Sequence, residues 1–216
     1  MKLFLTNERG RSMIEMLGVL AIVGILSVGG IAGYSKAMRK YKYMKLAEEL
    51  NLFIINVQPY LKDLFRTYNK NIEHNTIPAQ ILKDLHLFPT TWNVLSETFA
   101  ADSVGQSVNF FFRNNYSKHN FVIDYTFNDN NHKGRLLSKD EITRCQYILQ
   151  YVVIPNTDIL YRVYMTSLSN KQYYGSHHCT GKRLCLSNLT LNDIEQMCSA
   201  CITDKATCVL ALDIIY

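Results

Sequence analysis

The sequence predicts an α+β protein in which a long N-terminal helix, membrane-spanning in its first half and amphipathic in its second, packs on a small antiparallel sheet. Three observations predict it. Residues 16–35 carry no charge. From residue 36 to 65 apolar side chains recur at steps of three and four, the period of a helix with one buried face. After Asn69 the composition changes to short aromatic and β-branched runs broken by polar turns.

The elements follow in order. Residues 1–10 form a polar leader with Lys2, Glu8 and Arg9. Residues 11–35 hold the apolar helix; about 20 residues at 1.5 Å rise cover roughly 30 Å, the thickness of a bilayer's hydrocarbon core. Secretory signals have a shorter apolar core and a small-residue cleavage motif after it, and this segment fits that pattern poorly. Gly18, Gly24, Gly29, Gly30 and Gly33 dot the span, and Gly29 with Gly33 forms a G-x-x-x-G pair suited to close helix packing. The second helical half, 36–68, sets Ala37, Tyr41, Met44, Leu46, Leu50, Phe53, Ile54, Val57, Tyr60, Leu61, Leu64 and Phe65 against charged residues, among them Glu48 and Glu49. Pro59 either bends this helix or ends it near Gln58 and starts another.

Residues 69–216 form the globular head, long enough to bury one core. Pro78 to Leu87 reads as a short helix with Ile81, Leu82 and Leu85 inward. Val108 to Arg113 and Phe121 to Phe127 read as a hairpin, with Phe121, Ile123, Tyr125 and Phe127 on the core face. Ser138 and Glu141 make a capping box. Leu160 to Leu168 and Cys208 to Ile215 are two further strands, and Thr190 with Asp193 opens a helix over Leu191 to Met197.

The cysteine-rich region begins at 145: Cys145, Cys179, Cys185, Cys198, Cys201 and Cys208 all lie there. An even, clustered set behind an anchor reads as disulfides made in an oxidising compartment, with fifteen pairings open. Two other readings compete. Cys198 and Cys201 form a C-x-x-C, but without a βαβ context and at a helix end. Cys179, Cys185, Cys198 and Cys201 with His177 or His178 could bind zinc, but the first spacing is too wide. No metal and no cofactor is expected. Asp129, Asn131, Gly134 and Asp140 match part of a calcium loop, yet Lys133 stands where an oxygen ligand belongs. His74, His86, His119 and His132 are isolated, and no G-x-S-x-G, H-E-x-x-H or P-loop occurs, so no enzyme is expected. The cations Lys36, Arg39, Lys40, Lys42 and Lys45 suit lipid headgroups or acidic neighbours better than nucleic acid. The positive-inside rule would place that cluster in the cytoplasm, against the oxidising compartment that the cysteines ask for.

Glu15 is the lone carboxylate at the lip of the apolar run, five residues after Gly10. Gly10, the Ile14-Glu15 pair and the apolar residues Leu17 to Ile25 together resemble the class III leader of the type IV pilin and type II secretion pseudopilin superfamily. The resemblance covers residues 8–40 closely and the rest in layout. It implies a pilin-like fold, cleavage between Gly10 and Arg11 by a prepilin peptidase, methylation of the new amine, and a role for Glu15 in assembly opposite a neighbour's amine. Arg11 departs from the family's usual Phe or Met. The resemblance further implies a subunit held in the bacterial inner membrane, head in the periplasm. An assembly ATPase and platform protein would then polymerise it into a helical filament through its first helix. It also implies a C-terminal segment stapled by one disulfide, fewer than the cysteines here allow. A pilus subunit is the favoured member, with a type II secretion pseudopilin or a minor pilin as alternatives. The opposing class is an anchored binding module that never polymerises.

Overall fold

The computed structural model describes residues 13–68, 74–115, 118–127, 137–166, 171–200 and 208–216. Two compact units divide at Lys42/Tyr43. The first contains the start of helix α1 (Met13–Val57). Its side chains are exposed throughout, including Leu17, Val19, Ile22, Ile25, Leu26 and Ile31. Among the described residues α1 with its continuation is the one helix long and apolar enough to cross a membrane.

The second unit begins where α1 acquires a buried face. Leu46, Leu50, Phe53, Ile54 and Val57 are fully buried there. The helix gives way at Gln58–Tyr60 to a single 3-10 turn with Pro59 at its start, and α2 (Leu61–Tyr68) follows. Proline lacks the N–H that would continue the ladder, so the break falls where the sequence places it. Four residues assigned to the buried stripe are corrected. Ala37, Tyr41, Met44 and Tyr60 are exposed, because the first three lie before or opposite the face on Tyr43 and Leu46, and Tyr60 sits in the broken turn. Glu49, expected among the exposed charges, is instead buried, three residues after Leu46 and four before Phe53 on the core face.

The head's remaining elements are β1 (His74–Thr76), α3 (Ala79–Asp84), β2 (Asn93–Val94), β3 (Phe99–Ala101), β4 (Ser107–Asn115) and β5 (Lys118–Phe127). Then come α4 (Lys139–Ile148), β6 (Leu160–Met165), β7 (Tyr173–Tyr174), β8 (Leu184–Cys185), α5 (Leu191–Ser199) and β9 (Cys208–Ile215). The strands form one sheet in the order β2-β3-β4-β5-β9-β6-β7-β8, with β1 also paired to β4. All pairs are antiparallel except β7 with β8. The sheet is therefore larger than the small one expected. The last strand fills its centre, between β5 and β6.

The expected core face of β5 forms: Phe121, Ile123, Tyr125 and Phe127 are fully buried, opposite Ile214, Leu212, Leu210 and Cys208 of β9, while Val122 on the other face is buried as well. Phe53 is the hub that joins α1 to this face. Its ring centroid lies 4.9 Å from Phe110, 5.4 Å from Phe88 and Trp92, and 6.3 Å from Phe121. Leu85 is corrected. It is exposed because α3 ends one turn early in a left-handed cap at His86, with Leu87 N–H donating to the Leu82 carbonyl and His86 N–H to Lys83. Leu87 takes the core position instead.

Both capping boxes form, Ser138 with Glu141 and Thr190 with Asp193. After Ile148 the α4 helix widens into one π turn, Leu149–Val153, then closes at Pro155. Truncating the hub tests the packing: Phe53→Ala is expected to cost about 3–5 kcal/mol, read by urea unfolding of the detergent-solubilised protein followed through Trp92.

Candidate assembly helix and the polar sites of the head

Glu15 lies in the first turn of α1, where the exposed N–H groups favour a carboxylate, and it is exposed. It is the one acid in an exposed, otherwise uncharged helix surface that runs to Ser35. Gly18, Gly24, Gly29, Gly30 and Gly33 have nothing within 4 Å of where a Cβ would stand. They therefore leave shallow places along α1 where a second backbone can approach. Gly10 and Arg11 lie outside the described residues.

Tyr43, the first residue of the head unit, is fixed by side-chain bonds. Its hydroxyl donates to Asp140, and its ring lies 5.2 Å from Tyr147 on the same helix, α4. Asp140 pairs with Arg144 at 3.3 Å, and Arg144 donates to Gln106 at 2.9 Å. Gln106 bonds the Thr126 carbonyl of β5. Asp102 closes this chain, accepting from Val104 N, Gln106 N and the Tyr125 hydroxyl. Burial raises its pKa, against those hydrogen bonds and Arg144. Asp140 thus serves as a structural tie of α4; Asp129, Asn131 and Gly134 of the partial calcium motif lie outside the described residues.

Four of the candidate cysteines pair as Cys145–Cys198 and Cys179–Cys185. The first ties α4 to α5 over 53 residues of chain, and the second closes a loop six residues apart. Chain entropy alone assigns these bridges about 4 and about 2 kcal/mol. Cys208 is also disulfide-bonded; Cys201 lies outside the described residues. These pairs take up Cys198 of the redox reading and Cys179, Cys185 and Cys198 of the zinc reading. Among the described residues no group of three or more His, Cys, Asp or Glu is placed to hold a metal.

On the sheet face opposite Phe53, sequence reasoning missed a buried charge network. Asp213 of β9 accepts two bonds from Arg113 Nη1 and one from Arg162 Nε, all at 2.7 Å. Arg113 also donates to Tyr164 at 3.0 Å, and Arg162 to Gln172 at 2.9 Å. A pair this buried contributes little net stability, but breaking it strands a charge. Its partners are 100 residues apart in sequence, so no local pattern could reveal it.

No known family, curated protein or solved structure matches this chain.

Asp124 borders the network. Burial pushes its carboxyl up from 3.8 to about 7, outweighing the attraction of Arg113, and one carboxylate oxygen has no hydrogen-bond partner among the described residues. A carboxyl raised in this way keeps its proton in the native state after the unfolded chain has released it. Stability therefore falls as pH rises from 3.8 towards about 7. Asp124→Asn is expected to flatten that fall and to exceed the parent protein in urea midpoint at about pH 8 but not at about pH 4. Parallel profiles would contradict the assignment.

Proposed function

We propose that this chain is a structural subunit of a type IV pilus-like filament, held in the bacterial inner membrane before assembly and polymerised through α1. The observation that carries the reading is the first unit of α1: an exposed, uncharged helix with a single carboxylate in its first turn. Bare apolar surface of this extent is not stable in water, so it needs lipid or other helices around it. Lipid satisfies the apolar side chains but not Glu15. A packed bundle of identical helices satisfies both, because each Glu15 can meet the amine that cleavage after Gly10 creates on a neighbour. Such pairing sets register more than it adds stability.

The head supports a passive, outward role. Its disulfides tie the C-terminal third to itself, and the second part of α1 together with α2 has a face buried in the head between Tyr43 and Leu64. In this reading the subunit performs no catalysis. Its partners are further copies of itself, the prepilin peptidase, and the platform protein and ATPase that extract it from the bilayer. The disulfides favour a head on the oxidising side of the membrane, and in this reading the cations from Lys36 to Lys45 are translocated against the simple charge rule.

Glu15→Ala separates assembly from folding. Sheared-fibre yield is expected to drop at least tenfold, while the thermal transition of the head stays within about a degree of the parent. Undiminished fibre yield from the variant would reject the pairing.

A further inference from the structure

Between Asp158 and Asp193 the chain has no acidic residue, yet it carries Arg162, Lys171, Lys182, Arg183, His177 and His178. Two of these cations are already neutralised: Arg162 pairs with Asp213 at 2.7 Å and Lys171 with Asp193 at 3.1 Å. Lys182 and Arg183 are exposed and have no carboxylate partner among the described residues. Both stand in the loop that the Cys179–Cys185 disulfide closes. Gly181 turns that loop with a φ of +69°, which a side chain rarely adopts.

The loop is seated on a ring cluster. The Arg183 guanidinium lies 4.5 Å above the Tyr174 ring and donates to the His178 carbonyl at 3.0 Å. Tyr161 meets Tyr174 edge-on at 5.7 Å and His178 edge-on at 5.0 Å. All three rings are half-buried, so each keeps a solvent-facing part. Gly175 fixes the approach: a Cβ there would stand 1.9 Å from the Leu160 carbonyl, so only glycine lets the backbone lie against β6. The turn is further held by Ser176 N–H on the Thr157 carbonyl. Along the buried part of α1, this end of the sheet is the Gln58 end rather than the Tyr43 end. The Ile159 carbonyl at the start of β6 accepts from Ile215, and Ile215 lines a groove with Gln58 and Pro59.

We propose that the Cys179–Cys185 loop, with Tyr161, Tyr174 and His178, is a binding site for single-stranded nucleic acid. Lys182 and Arg183 supply charge to the phosphates, and the rings with the Arg183 guanidinium offer flat surfaces to unpaired bases. Cations interleaved with aromatic faces are the chemistry that holds single strands without sequence preference. An anionic bilayer is the weaker fit. Only Leu184 within the loop offers an exposed apolar side chain, at 44%, and one leucine buries too little surface to hold a membrane. This site is independent of the assembly reading, since it uses no residue of the first unit.

The test is fluorescence anisotropy of a labelled oligothymidine of about 16 nucleotides with the full chain in neutral detergent, across roughly 50 to 200 mM salt. The expected result is salt-dependent binding that Lys182→Ala weakens and that Lys182→Ala with Arg183→Ala weakens at least tenfold. The double variant should lower the slope of log K against log salt by about 1.4. Lys182 is exposed and makes no side-chain bond among the described residues, so its single variant is expected to fold and keeps the test valid if the double variant does not. Arg39→Ala with Lys40→Ala, in the other basic cluster, should change nothing. Absence of salt-dependent binding, loss of it in the Arg39/Lys40 variant alone, or equal affinity for a duplex of the same length would overturn the proposal. So would phosphatidylglycerol vesicles that compete the oligonucleotide away through Lys182 and Arg183.

Discussion

One helix has to satisfy two surroundings, and the rest of the molecule depends on where it passes from one to the other. Up to Lys42 every described side chain of α1 is exposed, and from Tyr43 onward one face is buried against the head. Among the described residues the first stretch buries no side chain, so its apolar side chains require lipid or neighbouring helices. The second stretch is held by the sheet through Phe53 and its ring partners. Tyr43 marks the change, bonded to Asp140 and packed on Tyr147. In the filament reading this division is what allows the first stretch to exchange lipid for protein while the head keeps its fold.

The head meets its side of that requirement by closing its sheet with its own last residues. Strand β9 lies between β5 and β6, so the hairpin half and the cysteine-rich half share one ladder. Asp213 in that strand draws in Arg113 from one half and Arg162 from the other. Cys145–Cys198 then joins the two helices α4 and α5. A pair this buried adds little net free energy, yet it bridges strands from both halves.

Legibility followed the length and periodicity of each element. The four strand candidates named from the sequence are the four longest in the sheet, β4, β5, β6 and β9. The five missed strands, β1, β2, β3, β7 and β8, have two or three residues each, too short for alternation to show. Both capping boxes were readable because Ser138–Glu141 and Thr190–Asp193 are local bonds. Leu85 and Glu49 were misplaced because a left-handed cap at His86 and the exact facing of α1 are set by tertiary packing. At the candidate sites the same division holds. The uncharged run and Glu15 stand in plain order along the chain, whereas Asp213 with Arg113, and Arg183 with Tyr174, Tyr161 and His178, come together only once the strands are paired.

The central claim is that α1 is prepared for helix-on-helix assembly, and preparation leaves a chemical mark. Intact-mass analysis of the protein extracted from the membranes of its natural host reads that mark directly. The account predicts a chain beginning at Arg11, with the first ten residues removed after Gly10. An intact leader in cells that hold an active prepilin peptidase, or a cut beyond Gly30 that removes the apolar helix, would contradict it.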